Sequence, residues 1–136
     1  VKFLVDANVL SEPTKPRPEA GVLSWLRAHE ENMVIDPIIL GEMLFGILQL
    51  PVGNRRRRLE RWFAEGVGRL ACLPWDAAAG HRWARLLADL RRSGKSMSIK
   101  DSMIATTALV NGLTVVTRNR RHFENAGVKI LDPFPA

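Results

Sequence analysis

The chain has one cysteine, three histidines and no apolar run of membrane-spanning length, and each shortage removes a class of function. A lone thiol, Cys72, forms no internal disulfide, and nothing around it suggests a zinc set. Within Leu70-Ala71-Cys72-Leu73 it reads as a small apolar core residue. His29, His81 and His122 share no common spacing, which argues against a histidine general base. No stretch reaches the roughly 18 apolar residues that suggest a transmembrane helix. The opening Val1-Lys2-Phe3-Leu4-Val5 lacks the apolar stretch and cleavage site of a secretory leader and reads as a strand. A cytoplasmic location and no membrane association are the resulting expectations. Repeats, low-complexity tracts and long linkers are also missing, so the 136 residues are expected to form one domain over 1–136.

What is present is an ordinary globular composition, 46% hydrophobic and 25% charged, with a basic balance. Twenty Lys and Arg against fourteen Asp and Glu give a formal charge of +6, which favours a polyanionic partner through salt-dependent attraction.

Apolar strand-like runs alternate with helix-periodic segments, the pattern of a parallel α/β sheet. Strands are expected at Lys2–Val5, Met33–Ile35, Leu70–Leu73, Thr114–Val116 and Lys129–Leu131. A loop carrying Pro13, Pro16 and Pro18 follows the first strand, and a helix is expected from Glu19 to Glu30. Another runs through Leu40, Glu42, Leu44, Phe45 and Leu48 until Pro51 stops it. A third opens with Arg55–Arg58 and buries Leu59, Trp62 and Phe63. Asp76 caps a fourth, striped by Trp83, Leu86, Leu87 and Leu90 and ending near Gly94. The fifth has Asp101 in its first turn and Gly112 just past its end.

Three acids and an amide stand at the ends of these elements. Asp6 closes the first strand, Glu42 interrupts an apolar helix, Asp101 begins a helix and Asn119 lies just beyond a strand end. Carboxyl ends of strands in open α/β sheets are where ligand sites form. Each residue also has a plain structural reading. Asp6 caps a loop, Glu42 faces solvent, Asp101 complements the helix dipole, and Asn119 occupies a turn in left-handed geometry. Placed together, ionised carboxylates repel and call for a cation. An all-oxygen donor set favours Mg²⁺ or Mn²⁺ over zinc, and such a site supports phosphodiester hydrolysis.

Four segments carry a family resemblance. Leu4-Val5-Asp6-Ala7-Asn8-Val9-Leu10-Ser11-Glu12-Pro13 resembles the opening of PIN-domain ribonucleases, especially the VapC and FitB toxins of bacterial toxin–antitoxin pairs. Gly41-Glu42-Met43-Leu44-Phe45-Gly46-Ile47 is similar to their second motif, and Lys100-Asp101-Ser102-Met103-Ile104-Ala105-Thr106-Thr107-Ala108 to their third. Thr117-Arg118-Asn119-Arg120-Arg121-His122-Phe123 is similar to the fourth. The resemblance implies a three-layer α/β/α sandwich with a five-stranded parallel sheet, a homodimer and a cognate antitoxin. Through that antitoxin it implies a larger complex on operator DNA. It further implies an RNA substrate and a metal site of Asp6, Glu42 and Asp101, with Asn119 where many relatives carry an acid. Thr117, Asn8 and Ser11 would support that site. Two departures stand out: Ala7 replaces a common Thr, and Asn119 leaves three anions rather than four.

Arg118, Arg120 and Arg121 lie beside the implied site and are expected to contact RNA phosphates. The Arg55–Arg58 run reads either as an RNA or dimer-edge contact or as a solvated helix start. The four tryptophans sit at helical core spacing. Among other functions, a non-catalytic RNA- or protein-binding PIN-fold module is the alternative, disfavoured by the presence of both Asp6 and Asp101. A phosphatase of the haloacid-dehalogenase type needs a second Asp two residues after the first, where Asn8 stands. A flap-type DNA nuclease needs added elements that this short chain lacks.

Overall fold

Short apolar runs of β-branched residues, too brief for helices, become buried strands when both faces of a sheet are covered. The computed structural model describes residues 2–136. It has five strands, β1 (Phe3–Val5), β2 (Met33–Ile35), β3 (Ala71–Cys72), β4 (Thr114–Val116) and β5 (Lys129–Leu131), of which the central β2, β1 and β4 are the buried ones. All pair in parallel, in the order β3-β2-β1-β4-β5. Six helices connect and cover them: α1 (Ala7–Leu10), α2 (Ala20–His29), α3 (Pro37–Leu48), α4 (Asn54–Glu65), α5 (Ala77–Arg92) and α6 (Ile99–Asn111). The result is the expected α/β/α sandwich. Among the described residues, no helix is long and apolar enough to cross a membrane.

The topology positions the site. From β1 the chain moves outward to β2 and β3, then crosses back to add β4 and β5 on the other side. That reversal between β1 and β4 opens a crevice at the carboxyl ends of the strands, where α/β sheets bind ligands. The register pairs Val5 with Val116. Asp6 and Thr117, the next residue of each strand, therefore emerge side by side, and the Asp6 N–H donates to the Val116 carbonyl at 2.9 Å. Beneath them Leu4, Val5, Ile35, Val115 and Val116 are fully buried. Each such side chain contributes about 1.5–3 kcal/mol by leaving water.

Three local readings differ from the sequence expectation. The stretch after β1 is not all loop. Asp6 Oδ1 accepts from the Ala7 N–H at 2.9 Å and starts α1, which at four residues is too short to show a periodic signal. The last helix starts at Ile99, capped by Ser98, so Asp101 is its third residue. The third difference is a correction. Cys72 is exposed rather than core-packed. It lies on β3, a two-residue edge strand that pairs only with β2, and the half-buried flanking residues Leu70 and Leu73 make the apolar contact instead.

Candidate active site

The backbone brings four distant segments to one end of the sheet. Asp6, Asn8, Glu42, Ser98, Lys100, Asp101, Asn119 and His122 line a single cavity of about 400 Å³. Asp6, Glu42, Asp101 and Asn119, separate in sequence, therefore meet where the crevice opens.

One wall is built from the strand ends. Asp6 is buried, and its Oδ2 accepts from the Thr117 hydroxyl at 2.8 Å and from the Asn8 amide at 3.1 Å. The same Asn8 amide donates to Thr117 Oγ1 at 3.2 Å, and Asn8 Oδ1 accepts from the Arg118 N–H at 3.0 Å. Thr117 Oγ1 also accepts from the Asn119 N–H at 3.0 Å. Asn119 has φ −95°, ψ 62°, outside the left-handed region, and its carbonyl accepts from the His122 N–H at 3.0 Å, so it does begin a turn while its side chain borders the cavity. Burial pushes the Asp6 carboxyl above its ordinary value; the Thr117 and Ala7 hydrogen bonds pull it back, and the charges of Glu42 and Asp101 push it further up.

The other wall comes from helices. Glu42, on α3, is half buried rather than freely solvated, and its Oε2 is bound by the Lys100 ammonium of α6. Its Oε1 is buried with no partner. Asp101 is buried on the first turn of α6, with Oδ2 3.3 Å from His122 Nδ1. The hydrogen bond to Glu42 raises the Lys100 pKa most, and the charges of Glu42, Asp101 and Asp6 add to it against the effect of burial. Among the described residues, no group of three His, Cys, Asp or Glu side chains is gathered tightly enough to hold an ion as it stands. Glu42 is turned to Lys100 instead. The residues nevertheless fit a hard divalent cation. The donors are carboxylate and amide oxygens, and a buried carboxylate oxygen without a partner is a costly feature that a cation would satisfy.

The remaining expected residues fall elsewhere. Ser11 ends α1 and lines a neighbouring apolar cavity of about 350 Å³ with Ala7, Asn8, Glu42, Met43 and Trp62. Arg118, Arg120 and Arg121 are exposed beside the crevice but do not line it. The Arg118 guanidinium lies 4.4 Å above the Phe134 ring, and Arg120 Nη2 donates to the Ile130 carbonyl at 3.5 Å. In the other arginine run Arg56 pairs with Glu60 at 3.1 Å, and Arg55 borders the apolar cavity.

The sequence reading gave Lys100, His122 and Asp36 no role at the site, although the first two stand in the third and fourth motifs. Lys100 left a trace, since a cation in the first turn of a helix opposes its dipole. His122 stands in the fourth motif but nothing there pointed to its partner, twenty-one positions away. Asp36 could have been found by the rule that singled out Asp6, because it follows the last residue of β2 as Asp6 follows β1. Fully buried, it accepts from the Ile39 N–H at 2.9 Å, capping α3, and from the Thr107 hydroxyl of α6 at 2.6 Å. It thereby ties the helix that carries Glu42 to the helix that carries Asp101. Burial raises its pKa, and the Thr107 and Ile39 hydrogen bonds oppose that rise.

Comparison with known proteins bears on this geometry. The family model described as PIN domain matches residues 3–129. The chain is 37% identical to plasmid stability protein StbB of Pseudomonas syringae pv. tomato, over 98% of this chain and 99% of that one. It is 36% identical to VapC ribonuclease Y4jK of Sinorhizobium fredii, over 97% of each. Among solved structures, FitAcB from Neisseria gonorrhoeae superposes with a TM-score of 0.87 at 29% identity, covering 96% of this chain and 97% of that one.

Proposed function

Since this chain belongs to the PIN domain family, we propose that it is an endoribonuclease, the toxin of a toxin–antitoxin pair, acting as one domain through the crevice at β1 and β4. The observation that carries this reading is the convergence of Asp6, Glu42, Asp101 and Asn119 on one cavity at the carboxyl ends of the strands. Similarity to a VapC ribonuclease supports RNA as the substrate.

Asp6, Glu42 and Asp101 would hold Mg²⁺ or Mn²⁺, with Asn119 as a neutral oxygen neighbour. The chemistry such an ion would supply is polarisation of a phosphoryl oxygen and a lowered pKa for an attacking water. The protein's own contribution is orientation. Thr117 and Asn8 fix the Asp6 carboxylate from one side, so its rotamer is set before substrate arrives. Asp36 sets the spacing between the two helices of the opposite wall. Arg118, Arg120 and Arg121 sit on the rim, where exposed charge attracts RNA at range and contacts phosphates beyond the reacting one.

The partners follow from the same surface. The apolar cavity beside Glu42 suits a peptide from an antitoxin, and so do exposed Phe45, Leu48 and Val52. A basic side chain of that partner would pair with the carboxylates and block the site. A homodimer, and a complex on operator DNA through the antitoxin, complete the reading. The deciding experiment is sequencing of RNA ends after induced expression, with Asp6→Asn as control, alongside cleavage of the same RNA in vitro with Mg²⁺ and with EDTA. Discrete metal-dependent cuts absent from the variant are expected. Equal cutting by the variant, or in EDTA, would overturn it.

A further inference from the structure

A nuclease site made of carboxylates must draw a polyanion into a negative cavity, and this cavity contains its own answer. Of the residues lining it, Lys100 is the one permanent cation among the described residues. The nearby arginines do not share that position. Arg118 is engaged by Phe134 and Arg120 by the Ile130 carbonyl.

Its own helix offers Lys100 the charge of the adjacent Asp101, but the acid it pairs with lies elsewhere. It is the second residue of α6, where positive charge opposes the macrodipole, and Ile104 rather than an acid stands one turn ahead. Its partner is Glu42 of α3, fifty-eight positions away. The side chains of that ion pair are 49% and 29% exposed, and a pair so accessible to water contributes little stability, so it exchanges easily. An ammonium offers three donors on a flexible stem, which lets it change acceptors without moving the backbone.

We propose that Lys100 is a substrate-binding residue, its ammonium exchanging Glu42 for a phosphate oxygen of the RNA strand as Glu42 turns to the divalent cation. The inference rests on the nuclease reading and deepens it. In the absence of RNA, Lys100 neutralises part of the carboxylate charge and competes for Glu42. With RNA it supplies a positive charge next to the phosphate, so metal and RNA reinforce each other's binding.

The test uses Lys100→Met and Lys100→Arg in the full chain. Mn²⁺ affinity is measured by calorimetry without RNA. Affinity of the Mn²⁺-loaded protein for a short, hydrolysis-resistant phosphorothioate oligoribonucleotide is measured by fluorescence anisotropy over a salt series. Lys100→Met should bind Mn²⁺ several-fold more tightly. Its oligoribonucleotide affinity should fall about tenfold, with a log–log salt slope shallower by about 0.7, the loss of one phosphate contact on a single strand. Lys100→Arg should keep the RNA affinity. Lys100→Gln gives the same readings should the Met variant fail to fold. Unchanged oligoribonucleotide affinity and slope would reduce Lys100 to the partner of Glu42, and weaker Mn²⁺ binding would make it a positioning residue for Glu42; either overturns the proposal. A wild-type protein that neither binds Mn²⁺ nor cleaves RNA would overturn the nuclease reading itself, and this inference with it.

Discussion

The two walls of the cavity are built differently. The strand wall, Asp6 with Asn8, Thr117 and Asn119, is held by parallel register and a closed set of short hydrogen bonds around two buried side chains. On the helix wall Glu42 meets Lys100 through long side chains that solvent partly reaches, and the buried Asp101 faces an exposed His122. A buried network in a low-dielectric setting is costly to leave half satisfied, so it stays in one arrangement. The half-exposed Glu42–Lys100 pair has no such constraint. The strand wall is thus a fixed reference and the helix wall an adjustable one, which suits a site that must admit a metal and a polyanion into the same space.

Replacing a carboxylate on either wall tests whether both serve one reaction. Asp6→Asn and Asp101→Asn should each lower RNA cleavage by about a hundredfold or more, the scale of losing a main electrostatic group at a reaction centre. Thermal unfolding of Asp101→Asn should stay near wild type, since the change is almost isosteric and relieves charge repulsion, whereas Asp6→Asn turns an accepting oxygen into a donor within the Asn8–Thr117 network and should cost about 1–3 kcal/mol. Wild-type cleavage by either variant would remove that residue from the site.

A change confined to the strand wall should reveal its rigidity. Thr117→Val keeps the shape but removes the donor to Asp6 and the acceptor for Asn8 and Asn119. Leaving those groups buried and unpaired should cost about 1–3 kcal/mol in urea unfolding, with reduced cleavage. If stability and rate are both unchanged, the network is not what fixes Asp6. Asn119→Asp adds an anion to the cavity and should tighten Mn²⁺ binding by on the order of tenfold in calorimetry, through short-range Coulomb attraction. Unaltered affinity would put Asn119 out of the ion's reach.

The smallest effects concern the tie between the two helices. Asp36→Ala loses the α3 cap and the Thr107 bond and should destabilise by about 1 kcal/mol. Asp36→Asn, able to accept from Ile39 and to pair with Thr107, should be close to neutral or stabilising. The sign follows from burial. Asp36 and Asp6 both have raised pKa values, so the folded chain binds their protons more tightly than the unfolded one. Their contribution grows as pH falls from neutrality through those raised values and is lost as pH rises through them. Asp36→Asn should flatten that part of the metal-free stability profile. Glu12 acts in the opposite sense. The Glu19 N–H and Lys15 lower its pKa, so its contribution is present above the ordinary carboxylate range and disappears in more acidic solution. A wild-type profile flat between neutrality and mild acid would show that neither buried aspartate is uncomfortable when ionised.

Much of the architecture was legible in local pattern. Met33–Ile35, Thr114–Val116 and Lys129–Leu131 are strands at the residues where the apolar runs lie. Such runs, bounded by turns and alternating with amphipathic helices, have little alternative to a covered parallel sheet. Local pattern misled at Cys72, because an apolar neighbourhood in sequence does not say that a strand is at the edge. It was silent on α1, where a single capping aspartate does what periodicity does in longer helices.

Composition, hydrophobic spacing and four polar motifs determined by themselves the fold class, the strand positions, the placement of Asp6, Asp101 and Asn119 at element ends and of Glu42 within an apolar helix, and the PIN resemblance. Each depends on which residues can be buried and which φ/ψ they prefer, information carried within a few positions of the chain. Tertiary structure alone decided that Lys100 reaches Glu42, that His122 faces Asp101 and that Asp36 joins α3 to α6. It also turned Arg118 toward Phe134 instead of the cavity. Those pairings depend on the angle and register at which separate elements pack, which no local spacing encodes. A difference of an ångström or two in that packing decides whether two side chains share a hydrogen bond or face water.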